Sequence, residues 1–329
     1  MLPQNPAELN LLVLGLILAV LVVLTIDLCL ILRWIRYQRR LARAIRQHDA
    51  PPATPGLEAT PAPDPVPYIP PPFAPTWSLV HPFLAFQFVV VVANLLALIL
   101  ALFLLPWVPG GITALTLTNS PGMVWLTGAT VIVALWIQNG LFIGATAYYL
   151  RRYGTSLQQI GMSQPTSRHI ALGVMLGICL FCLGLAAESA LTALLPRLLS
   201  PGQAERLKHL GHSISATTWF LQMPGTGMKL LFALAGTLAA PIGEEVFFRG
   251  FVYNALKVRL GMAPAIVLSA LAFALIHASP IAIVVIFPMG MALAYLYART
   301  GSLWVTILIH AVNNGLSFIA LALFPQLGQ

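Results

Sequence analysis

The sequence predicts an all-α fold: a polytopic transmembrane helical bundle of about eight membrane-spanning or half-spanning segments. Three observations predict it. Hydrophobic residues make up 59% of the 329 and charged residues 8%, against roughly 45–50% and about 25% in a soluble domain. Apolar runs of roughly 20 residues, enough for a helix to cross about 30 Å of hydrocarbon, recur along the chain. Lys and Arg collect between alternate runs, as they do in cytoplasmic loops. The alternating strands of about ten residues that a closed β-barrel needs do not occur. The net charge of +8 therefore reads as membrane topology, with no nucleic-acid partner.

The first apolar segment covers about 10–32. No basic residue precedes it and no small-residue cleavage site follows, so it reads as an anchor and not as a signal peptide. Arg33, Arg36, Arg39, Arg40, Arg43 and Arg46 come next. They form a stop-transfer signal, and their spacing could also lay a basic helix against anionic headgroups. Pro51 to Pro75 is proline-rich and reads as an extended linker. The organisation expected is an anchor with its basic stretch at 1–48, a linker at 49–78, and a multi-helix domain at 79–329 with its motif-bearing core at about 228–324.

Seven further segments follow at roughly 80–105, 123–150, 169–195, 228–256, 264–278, 281–299 and 303–324. An external N-terminus places Arg151, Arg152, Arg168, Arg249, Lys257, Arg259 and Arg299 on the cytoplasmic half, giving eight crossings with both termini outside. The segment at 264–278 is short, so it reads as a half-crossing whose "HASP" turn is buried in protein. The three cysteines, Cys29, Cys179 and Cys182, all fall in apolar segments, which implies no disulfide framework. The C-x-x-C formed by Cys179 and Cys182 reads as helix packing, since a thiolate is unfavourable in hydrocarbon. Asp27 can snorkel to the basic end of its segment. Glu188 lies deeper and could bond a neighbouring helix or line a cavity. His81, His169, His209 and His212 sit at segment ends or in a loop, where water is their expected partner.

"PIGEEVFFRGF", from Pro241 to Phe251, places three charges in an apolar stretch of a chain with nine acidic residues. Each charge near the bilayer centre costs roughly 2.5–3.5 kcal/mol on insertion scales, so compensation is required. Glu245 and Arg249 are four apart and can pair on one helix face. Glu244 is turned about 100° away and is free to face something else. Pro241 is expected to kink the helix, and Gly243 and Gly250 to admit close neighbours. Two late segments add His277 from "FALIH", then His310 and Asn314 from "HAVNN", again four apart. Two histidines, an Asn and a spare Glu on three late helices predict a polar cavity within the bundle.

That set suits hydrolysis. A carboxylate shielded from water holds a proton more tightly and is a better base near neutral pH. Glu244 with His277 could deprotonate a water, and His310 with Asn314 could donate hydrogen bonds to the developing oxyanion. Alternatively Glu244, His277 and His310 could ligate zinc, although the H-E-x-x-H spacing is absent. A proton-coupled transporter would use the same residue types, and an inactive membrane scaffold would retain them without chemistry.

"EEVFFR" (Glu244 to Arg249), "FALIH" (Phe273 to His277) and "HAVNN" (His310 to Asn314) resemble the E-E-x-x-x-R, F-x-x-x-H and H-x-x-x-N motifs of the CPBP family. These are the CAAX-protease and bacteriocin-processing, Abi-like, intramembrane proteases. "LYARTGSLWVTILIHAVNN" resembles the family's run-in to its last motif, and "RRYGTSLQQIGM" (Arg151 to Met162) resembles an upstream segment. The resemblance implies an endopeptidase of the plasma membrane acting on a membrane-associated or lipid-modified peptide. It implies that Glu244 and His277 activate water and that His310 and Asn314 stabilise the oxyanion. Glu245 and Arg249 would support the first glutamate.

Overall fold

The computed structural model describes residues 77–108, 121–200, 202–207, 216–277 and 279–328. The chain divides into two compact units, Met1–Pro72 and Phe73–Gln329, and the described residues belong to the second. The anchor with Asp27 and Cys29, its arginines and most of the linker lie outside the described residues, as do His209 and His212. Trp77 is fully buried, so the bundle already includes a residue that the sequence assigned to the linker.

The helices are α1 (Val80–Leu104), α2 (Pro121–Arg152), α3 (Ser167–Leu198), the short α4 (Ala216–Gln222), α5 (Gly225–Leu260), α6 (Met262–Leu275), α7 (Pro280–Thr300) and α8 (Leu303–Leu323). Six of these, all but α4 and α6, are long and apolar enough to cross a membrane. The chain is a multi-pass integral membrane protein. The 14 residues of α6 rise about 21 Å at 1.5 Å each, short of the hydrocarbon thickness, so α6 is too short to cross alone.

Local chemistry sets the ends. Thr166 caps α3 by accepting from the His169 N–H, and the His169 ring accepts from the Thr166 N–H in return. This capping box replaces the water expected at His169. Ser279 caps α7, Pro280 opens it, and Gly301 ends it in the left-handed conformation with φ 65°, which a glycine adopts without a Cβ penalty. His81 is buried and bonds the Tyr153 hydroxyl at 2.8 Å, again in place of the water expected there.

The longest helix, α5, is the most enclosed span. Its backbone widens to π-helical turns at Ala235–Ala239 and again at Val246–Tyr253. Proline has no N–H to offer the carbonyl one turn back, and its ring crowds that carbonyl. The helix answers Pro241 by widening just before it, where the sequence suggested a kink. Such turns recur at functional sites. The second one releases carbonyls from the regular ladder, and a side chain takes them up: Asn254 Nδ2 donates to the Arg249 and Gly250 carbonyls at 3.2 and 2.9 Å. The same amide donates to Tyr297 Oη at 2.9 Å, and Tyr297 donates onward to the Ile160 carbonyl at 2.9 Å.

Around α5 the packing is tight on one side and open on the other. Phe142, Phe247, Phe248, Phe251 and Phe273 are all buried and form the aromatic core between α2, α5 and α6. In contrast, α3 packs on α7 and α8, with Gly173 and Gly177 letting Leu308 and Val312 approach. Its remaining surface is mostly exposed. Cys179 and Cys182 are free and exposed, which corrects their reading as packing residues.

The ends of α2, α5 and α7 that carry Arg152, Arg259 and Arg299 lie on one side of the bundle. Leu303 N–H donates to the Gly161 carbonyl at 3.0 Å, joining the α2–α3 and α7–α8 connections. Gly161 has φ 95°, and a Cβ there would strike the Gly301 carbonyl. On the same side Arg259 donates to the Trp77 carbonyl at 2.7 Å. These basic residues therefore share one end of the bundle, as the segments that carry them were expected to.

Candidate active site

Glu244 and Glu245 sit side by side in α5, between the two widened turns, and both are buried. Glu245 has the structural partners. Its Oε1 accepts from Arg249 Nη1 at 2.7 Å, the pair expected from the four-residue spacing. Arg249 is itself fully buried. It donates through Nη2 to the Gly290 carbonyl of α7 at 3.2 Å, and its guanidinium carbon lies 4.3 Å from the centre of the Phe273 ring. A carboxylate, a carbonyl and an aromatic face together offset the burial of that cation.

The same Glu245 Oε1 lies 3.1 Å from His310 Nδ1. A carboxylate is an acceptor, so Nδ1 carries the hydrogen and neutral His310 presents a bare Nε2. That Nε2 lies 4.0 Å from Glu244 Oε2. Among the described residues Glu244 Oε2 has no hydrogen-bond partner. The imidazole beside Glu244 is thus His310, where the sequence pairing had placed His277.

His277 lies in the turn just beyond α6, with Nδ1 3.0 Å from the Phe273 carbonyl. It makes no ion-pair contact with Glu244 within 4.0 Å among the described residues. What joins it to the rest is Phe273, fully buried. The Phe273 ring meets the His277 and His310 rings edge-on, at centroid distances of 5.2 and 5.6 Å. Phe273 was quoted only as a motif letter; its place between both imidazoles and Arg249 could not be read from spacing.

Asn314, one turn beyond His310 on α8, donates through Nδ2 to the Gly236 carbonyl in the first widened turn of α5 at 2.8 Å. Its Oδ1 accepts from Asn313 at 3.3 Å. Among the described residues no second acceptor takes the other amide hydrogen of Asn314. Glu188 is exposed on α3 and is not part of this cluster.

Residues 226–316 match the Rce1-like family, described as type II CAAX prenyl endopeptidase. Over this segment the chain is similar to that family, as the three motifs suggest. The matched segment holds Glu244, Glu245, Arg249, His277, His310 and Asn314, and runs from α5 into α8. A Bacillus subtilis (strain 168) protein named "Putative membrane peptidase YdiL" is 32% identical over 84 residues, 26% of this chain and 34% of that protein. The chain therefore spans about a third of the length of this curated relative, 34%. No solved structure matches the chain. Helices α1, α2 and α3 lie outside the matched segment.

The donor set bears on the zinc alternative. Zinc wants three protein ligands at about 2.0–2.2 Å around one point. Among the described residues no three His, Cys, Asp or Glu side chains are gathered in that way. As arranged, Glu244, His277 and His310 do not make a zinc cage.

Proposed function

We propose that the chain is an intramembrane endopeptidase that uses Glu244 and His310 to activate water against a peptide bond of a membrane-associated substrate. One observation carries the reading: the unpartnered Glu244 Oε2 faces the bare Nε2 of His310 across 4.0 Å. That gap is too long for a direct hydrogen bond, yet two bonds of about 2.8 Å meeting at a shared water would span it. Glu245 orients the imidazole from behind, as a carboxylate orients a catalytic histidine in other hydrolases.

Held there, a water would give one proton to the Glu244–His310 pair as its oxygen adds to the carbonyl carbon. When the C–N bond breaks, the pair returns that proton to the departing amine. The uncommitted Asn314 amide hydrogen is a donor for the oxyanion formed between these steps. His277 closes the third side through Phe273. No step is routed through a metal.

The surroundings suit a substrate that arrives in the bilayer. Glu244, His310 and Asn314 lie on helices long and apolar enough to cross a membrane, and the matched family profile is that of enzymes described as type II CAAX prenyl endopeptidases. We infer a peptide with a lipid-modified or apolar terminus, which would enter from the lipid with its apolar end embedded.

The test is cleavage of a quenched library of such peptides by purified protein in proteoliposomes. Wild type should cleave, and Glu244→Gln and His310→Ala should each lose at least about a hundredfold in kcat. Cleavage that persists unchanged in Glu244→Gln removes that carboxylate from the reaction. Proton-coupled uptake lost in the same variant, with no peptide cut by wild type, would favour a transporter.

A further inference from the structure

The motif-bearing helices are not the whole site. Gln138 and Asn139 interrupt an apolar stretch midway along α2, outside the matched segment. Asn139 is 1% exposed. Its Nδ2 donates to the Leu135 carbonyl of its own helix at 2.9 Å. Its Oδ1 is buried and has no hydrogen-bond partner among the described residues. A carboxamide oxygen left so in the interior of a membrane bundle is costly, and it stands against a meaningful place.

That place is Gly243, the residue before Glu244. A Cβ on Gly243 would lie 2.5 Å from Asn139 Oδ1, 2.7 Å from its Cβ and 2.8 Å from its Cα. The backbones of α2 and α5 meet here with nothing between them. In glycine that direction is taken by a hydrogen, so the Gly243 Cα–H points at Asn139 Oδ1. Such Cα–H···O contacts recur where helices touch.

We propose that Asn139 is a positioning residue for the reaction: it seats α5 at Gly243 and so fixes where the Glu244 carboxylate stands relative to His310. The inference rests on the peptidase reading for its kinetic test, but not for its structural one. Asn139 acts through Gly243 and need not touch substrate. Around Gly243 only a short α-helical stretch, Ala240–Glu245, stands between two widened turns of α5. A neighbouring helix must then supply the fixed reference, and α2 presents Asn139 there. A displacement of about 1 Å is enough to cost a factor of a hundred when reacting groups are misplaced.

The experiment compares wild type with Asn139→Leu, similar in breadth but without the acceptor, and Asn139→Ala, which cannot clash. Each is melted in detergent, assayed for peptide cleavage, and treated with the apolar reagent dicyclohexylcarbodiimide, which modifies carboxyl groups in apolar surroundings. Mass spectrometry gives the labelling rates of Glu244 and of the exposed Glu188, the internal control. Positioning predicts that kcat falls roughly tenfold with KM within about twofold. It also predicts that Glu244 labelling changes at least threefold with Glu188 labelling unchanged. If Asn139→Leu fails to fold, Asn139→Ala carries the same expectations. Unchanged kcat and Glu244 labelling per folded molecule in Asn139→Ala overturn the proposal. So does a melting shift in which Glu188 and Glu244 change together, the mark of general loosening. If wild type cleaves nothing, the labelling comparison still decides the position of Glu244, and the peptidase reading alone is lost.

Discussion

Glu245 holds His310: Oε1 of the glutamate lies 3.1 Å from Nδ1 of the imidazole. The same oxygen takes the Arg249 hydrogen bond at 2.7 Å, so one carboxylate ties α5 to α8 and neutralises a buried cation. Glu245→Gln should therefore be the more damaging of the two glutamate changes for stability. Removing one partner of a buried pair costs about 3–5 kcal/mol, read as a fall in detergent melting temperature. Glu245→Gln combined with Arg249→Met should lose less than the sum of the singles, because no uncompensated charge remains.

Glu244→Gln should do the opposite. Its Oε2 has no hydrogen-bond partner among the described residues, so neutralising it removes a buried charge without breaking a bond. Melting should stay within about 0.5 kcal/mol of wild type or rise, while cleavage is lost. Sites that hold function at the expense of stability behave this way. A large drop in melting temperature would show that Glu244 supports the fold.

Chelation should leave cleavage within about twofold of the untreated rate. The zinc alternative has no ligand cage among the described residues. Loss of activity in 1,10-phenanthroline, restored by added zinc, would require a rearranged site that brings His277 to Glu244 and His310.

Two glycines of α3 give a matched comparison. A Cβ at Gly177 would lie 2.7 Å from Val312 Cβ and 3.0 Å from the Ile309 carbonyl, whereas one at Gly184 would meet nothing within 4 Å. Gly177→Ala should cost about 1–3 kcal/mol by forcing α3 off α8. Gly184→Ala should be neutral or stabilising by up to about 1 kcal/mol, through helix propensity alone. Equal effects at the two positions would contradict the packing of α3 on α8.

Much of this was legible beforehand, for identifiable reasons. Apolar run length located the seven segments of the bundle, because a helix satisfies its own backbone polar groups in lipid and so needs a long apolar run. The shortness of α6 and the pairing of Glu245 with Arg249 follow from rise per residue and helical spacing. What spacing cannot supply is which helix faces which. It joined Glu244 to His277, and the structure sets His310 nearest, because α8 crosses α5 where Glu245 can reach it. Phe273 and Asn139 were invisible as participants, since an aromatic in a core and an amide in a span have no periodicity to betray them. The adjacent Gln138–Asn139 pair, midway along an otherwise apolar run, was the available signal. Pro241 announced a disturbance in α5, but a kink and a widened turn look alike in one dimension.

The contact of Ile160 with α5 changes where this protein can be cut. Ile160 Cδ1 sits 2.7 Å from where a Cβ on Gly250 would be, and the Ile160 carbonyl accepts from the Tyr297 hydroxyl. The stretch by which kinship is recognised begins at 226, well after both Ile160 and Asn139. An excised fragment limited to that stretch would expose the flank of its own reactive helix to lipid tails. The shortest self-sufficient piece has to start upstream of α2, so homology and autonomy draw different borders on one chain.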